Sequence, residues 1–200
     1  MLLDDLGISL DASRARRIWI SAIIVAAVQT VIIGYIIQSR ASILQNGAEV
    51  LLKTAPVDPR DLLRGDYVTL NYDISRVPAT TLVGGMPKDA GEKRLAVRLQ
   101  KQPDGFWTIA ESSFDALPPK PDTVVVESLP FSYYPLEGDQ SFQVEYGMER
   151  FYVPEGAGHD LETARNDGRA SVAARVSSGG EAQIRTLMID GKPVYDEPLY

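Results

Sequence analysis

Hydrophobic and polar positions change their rhythm along this chain near residue 37. Ile18–Ile37 reads IWISAIIVAAVQTVIIGYII, twenty residues without a charge and with Gln29 as the one strongly polar member. At ~1.5 Å of rise per residue, such a helix spans ~30 Å, the hydrocarbon thickness of a bilayer. A lone segment in that slab must satisfy its own backbone groups, which only a helix does. Trp19 and Tyr35, near the two ends, suit the headgroup level. The pattern predicts a transmembrane helix over 18–37 and a helix extension or linker over 38–47. The extension stops at Asn46-Gly47, where glycine tolerates the left-handed conformation.

Beyond residue 47 the apolar period is two. Val68, Leu70, Tyr72 and Ile74 share one face of a predicted strand, and Thr69, Asn71 and Asp73 share the other. Leu95, Val97 and Leu99 repeat the pattern, with Arg98 and Gln100 pointing outward. Pro103-Asp104-Gly105 predicts a hairpin turn into a strand over 106–111. Further β-rich runs are 123–127, 141–146 and 150–153, and 171–195 reads as a meander with turns at SSGG and Asp190-Gly191. Only His159–Arg165 looks helical. Together these predict a mainly β domain over 48–200, barrel- or sandwich-like, preceded by one transmembrane α-helix. A split around the PPKP run at 118–121 stays open, although its shortness favours an internal loop. A weak internal echo links Gly65-Asp66…Leu70-x-Tyr72 to Gly138-Asp139…Val144-x-Tyr146, the second one residue longer.

Charge adds orientation. Arg14, Arg16 and Arg17 precede the apolar segment and only Arg40 lies close behind it. The positive-inside rule therefore predicts a cytoplasmic tail over 1–17 and an exported domain. An uncleaved signal anchor is favoured over a cleaved signal peptide, because the apolar run exceeds a typical h-region and the following QSRAS offers no A-x-A-like site. Residues 41–200 hold 16 Lys+Arg against 24 Asp+Glu, a net −8, with no basic run. That argues against a nucleic-acid partner. Absence of cysteine excludes disulfides, thiolate metal sites and cysteine nucleophiles.

Two constellations carry the candidate chemistry. Asp58, Arg60, Asp61, Arg64 and Asp66 alternate in sign just before Tyr67. Gly65-Asp66 suits an Asx-type turn feeding a strand, and Tyr67 points away from the apolar face. The group reads either as a self-satisfied turn or as a recognition edge near the membrane. The second constellation, YGMERFYVPEG, holds Glu149, Arg150 and Glu155 ahead of His159. A metal site would draw on His159, Asp160, Glu155 and Glu162, but one histidine without an H-x-x-x-H spacing argues against it, and no metal or cofactor is expected. No G-x-S-x-G elbow, zinc-protease helix or phosphate loop occurs. A carboxylate enzyme remains the alternative, with Asp66, Glu149 and Glu155 converging beside Tyr67 and Arg150.

GDYVTLNY matches all five fixed positions of the pattern that names the GDYXXLXY family: Gly65, Asp66, Tyr67, Leu70 and Tyr72. With PVDPRDLLRGDY, the later YGMERFYVPEG and the single apolar segment, the chain resembles that family over about 45–195. The resemblance implies a bacterial membrane-anchored protein of uncharacterised activity, often accompanying multi-span membrane proteins. The layout of anchor, loop and Gly-Asp is also similar to type I signal peptidases, but Val57 and Asp58 stand where that family's serine is expected. The expectation is a single-pass inner-membrane protein whose periplasmic domain is a non-enzymatic interaction module for another membrane protein.

Overall fold

The computed structural model describes residues 12–56, 67–135, 141–152 and 158–198. The chain forms two compact units, 1–40 and 41–200.

In the first unit, helix α1 (Ala12–Asn46) begins and runs without a break into the second. It is long and apolar enough to cross a membrane, and the side chains of its apolar stretch are exposed. Two of its hydroxyls are satisfied locally: Ser21 donates to the Arg17 carbonyl at 3.0 Å and Thr30 to that of Ala26 at 2.9 Å. Such bonding back by one turn is what an apolar surround demands of a hydroxyl.

In the second unit, Ala41, Ile43 and Leu44 at the end of α1 are buried. The helix does stop at Asn46, but the expected reason is wrong. Gly47 does not enter the left-handed region; a Cβ there would lie 2.5 Å from the Ile43 carbonyl oxygen and 3.0 Å from the Val176 amide nitrogen. Glycine is needed for close backbone approach.

Strands then follow: β1 (Ala48–Ala55), β2 (Tyr67–Thr69), β3 (Asn71–Tyr72), β4 (Arg76–Pro78), β5 (Gly91–Lys93), β6 (Ala96–Lys101), β7 (Trp107–Ser113), β8 (Thr123–Glu127), β9 (Phe131–Tyr133), β10 (Ser141–Gln143) and β11 (Arg150–Tyr152). Helix α2 (Gly158–Asn166) leads to β12 (Ala170–Val176), β13 (Ala182–Ile189) and β14 (Lys192–Asp196). One sheet has the order β14-β13-β12-β1-β3 and another β7-β6-β8; β10-β4, β11-β2 and β5-β9 form pairs. All these pairings are antiparallel. The domain is therefore mainly β in several sheets, as the period-two pattern predicts. Val50, Leu52, Val68, Leu70, Val97, Leu99, Val126 and Val172 meet in one core. Phe114 sits edge-on to Tyr133 and Phe142, with ring centroids 5.0 and 5.5 Å apart.

Two local expectations need correction. The strand predicted over 68–74 is broken: β2 pairs with β11, β3 pairs with β1, and 73–75 form a 3-10 turn. Its apolar face survives the change of partner, since Val68, Leu70, Tyr72 and Ile74 are all buried. Arg98, expected to point outward, is only 2% exposed. Its guanidinium donates to Glu111 at 2.6 Å, to the Thr123 hydroxyl at 3.0 Å and to the Pro118 carbonyl at 2.5 Å. The proline run thus folds back as a lid on an arginine, and Lys120 adds a second cation to Glu111 at 2.9 Å.

Arg98→Met leaves the Pro118 carbonyl without its donor and Glu111 with one cation, and should cost about 3 kcal/mol in denaturant unfolding. Hydrogen bonds from Lys120 and then Arg98 hold the Glu111 carboxyl below its ordinary range. A depressed folded-state pKa stabilises above the unfolded-state value, and that contribution is lost as pH falls through the folded one. The parent chain should therefore lose more stability below pH ~4 than Glu111→Gln does, read as the melting midpoint against pH.

Candidate functional site

Gly65 and Asp66 lie outside the described residues, as do Asp58, Arg60, Asp61, Arg64 and Glu155. The rest of the motif is visible. The Tyr67 backbone opens β2 opposite Tyr152, and Val68 and Thr69 face Phe151 and Arg150. Leu70 and Tyr72 are each 1% exposed, so the motif's last two fixed positions are core residues. The Tyr72 hydroxyl donates to the Met148 carbonyl at 2.6 Å, and Tyr146 donates to the Ile74 carbonyl at 2.7 Å. Burial, reinforced by the charge of Glu149, raises both phenols above their ordinary range. They are protonated donors that fasten two segments together, not bases or nucleophiles.

Glu149 has a similar structural employment. One carboxylate oxygen accepts from the Tyr146 amide at 2.5 Å and the other from the Gly147 amide at 2.9 Å. Gly147 has φ of +84°, so this turn needs both a glycine and an acceptor. Arg150 is exposed on β11, beside the β2 wall.

These segments enclose a cleft of about 480 Å³ lined by Thr69, Leu70, Asn71, Leu129, Pro130, Phe131, Gln143, Val144, Glu145 and Glu149. Thr69 and Asn71 stand on the face that alternation assigns away from the core, which is the face the cleft uses. Gln143 and Glu145 alternate with the buried Phe142, Val144 and Tyr146 in the same way, but only tertiary structure brings them to the same cleft as Thr69 and Asn71, some seventy residues away. Arg165 was equally illegible: from α2 it is buried and donates to the Thr69 carbonyl, bracing the β2 wall. Among the described residues the lining offers amide, hydroxyl and carboxylate groups over an apolar floor and no cation. That suits hydrogen bonding to a polar or cationic group.

Glu149→Ala should lower stability by about 1–3 kcal/mol, since two turn amides lose their acceptor. Glu149→Gln, which keeps one acceptor oxygen, should lose less in the same unfolding measurement.

Comparison with curated proteins and with solved structures finds no match. The family model described as GDYXXLXY protein matches residues 29–187, from the second half of the apolar segment into β13. The chain belongs to the GDYXXLXY protein family.

Proposed function

We propose that this protein is a single-pass membrane-anchored accessory protein of the bacterial inner membrane, with its N-terminus in the cytoplasm and its β domain in the periplasm. The domain docks another membrane protein, and the cleft face between β2 and β10 is the docking surface. The observation that carries this reading is the unbroken helix α1. Its exposed apolar stretch passes within ten residues into the buried Ala41, Ile43 and Leu44, leaving no long linker. A short tether keeps the domain at high effective concentration against neighbours in the same bilayer, so modest docking contacts suffice. Arg14, Arg16 and Arg17 ahead of the helix support the orientation. The charged stretch with Asp58, Arg60, Asp61, Arg64 and Asp66 leads into Tyr67 and one cleft wall, and Arg150 borders it; these form the recognition edge. The carboxylate-enzyme alternative loses support at Glu149, both of whose oxygens hold turn amides.

The natural chain has no cysteine, so single-cysteine variants report topology without background. In intact cells, Ser178→Cys should react with a maleimide that crosses only the outer membrane, and Arg14→Cys should not; the reverse pattern overturns the orientation. A photoreactive residue at Asn71 or Glu145 should cross-link to one discrete multi-span membrane protein, while one at Lys192, outside the cleft, should not. Recovery only as an uncross-linked monomer in mild detergent would defeat the docking reading.

A further inference from the structure

We infer that the β domain is a fused pair: residues 48–114 and 122–189 are two copies of one strand unit that exchange their first strands. The stretch 138–146 is then a second, diverged copy of the family motif. The case rests on contacts that recur at a nearly constant spacing.

The motif segments show it most directly. Thr69 faces Arg150 and Val68 faces Phe151 in one pair; Gln143 faces Arg76 and Phe142 faces Val77 in the other. Each residue has its counterpart 74 positions along the chain, with roles reversed. The Leu70 amide donates to the Glu149 carbonyl at 2.7 Å, and the Val144 amide donates to that of Ser75 at 2.9 Å. The crossed tyrosine bonds, Tyr72 to Met148 and Tyr146 to Ile74, obey the same rule. Contacts in which i meets j while the equivalent of j meets the equivalent of i are what a two-fold axis imposes. Tyr72 and Arg76 keep their residue type in Tyr146 and Arg150.

The sheets follow suit. β6 lies between β7 and β8, and β12 between β13 and β1. Leu99 faces Ile109 and Val124, whereas Ala174 faces Ile184 and Val50. The register shift next to Leu99 recurs next to Ala174, 75 residues on, so one extra residue separates motif and hairpin in the second copy. The hairpin turns also agree, with Gly105 at φ +89° and Gly180 at φ +87°. Glycine turns are common in hairpins and alone would prove little. Reciprocal bonds, matching bulges and matching sheet order at one spacing are not generic.

Exchange has a physical consequence. β1 completes the sheet of the second copy and β8 that of the first, so neither copy owns a whole sheet. The cleft is lined by three equivalent pairs, Thr69 with Gln143, Leu70 with Val144 and Asn71 with Glu145, which puts it where the two motif copies meet. Arg98, whose counterpart is Ala173, marks where the copies have diverged.

Two results test the inference, and it needs both. In the full chain in detergent, Tyr72→Phe and Tyr146→Phe should each lower the melting midpoint by about 2–5 °C and by similar amounts. A fall in one alone, or in neither, overturns the equivalence. Sequences of other family members, each compared with itself, should align the GDYXXLXY segment with a segment about 74 residues later. No such alignment across the family overturns the duplication, whatever the tyrosine variants do.

Discussion

Burying a tyrosine hydroxyl without an acceptor costs on the order of 1–3 kcal/mol, and two of the tyrosines that the β domain buries, Tyr72 at 1% and Tyr146 at 3% exposure, depend on one another. Each takes its acceptor from the other's segment, so neither is satisfied until both segments are in register. A slip of one residue would also turn Leu70 and Val144 out of the core. The small strand pairs β2-β11 and β4-β10 are too short to persist alone. Their stability comes from this mutual fastening and from the apolar face it sets in place.

The same constraint limits what the conspicuous polar residues are free to do. Glu149 stands at the turn that presents the Met148 carbonyl to Tyr72, and its two oxygens bind the amides on the near side of that turn. Arg98 is the other large commitment: a buried guanidinium holding Glu111, Thr123 and the proline loop around the β7-β6-β8 sheet. A buried charge of this kind is weak evidence for added stability but strong evidence for a defined arrangement, since removing one partner strands the others. The cleft between the fastened segments is where polar side chains such as Thr69, Asn71 and Gln143 line an open surface.

Much of this was legible in the residues. Twenty uncharged positions define a membrane-length helix because backbone satisfaction in hydrocarbon leaves no other form. Period-two alternation placed Val68, Leu70, Tyr72, Leu95, Val97 and Leu99 in the core, and the Asp104-Gly105 and SSGG turns closed the hairpins. Arg98 was misread because alternation reports which face a side chain leaves from, not whether a later loop covers that face. Gly47 was misread because a glycine demanded by close approach looks the same in sequence as one demanded by a left-handed φ.

Local composition and a contiguous motif were enough for the helix of membrane-crossing length, the β character of the domain and the family. Three-dimensional packing was needed to set Tyr72 and Tyr146 on each other's segments, to bring Gln143 and Glu145 into one cleft with Thr69 and Asn71, and to place β1 beside β12 and β8 beside β6. Apart from the nearer β6–β8 pairing, those relations join residues more than seventy positions apart. Strand pairing carries no local signature of which partner is chosen, and the choice is made by burying every hydroxyl, amide and apolar face at once.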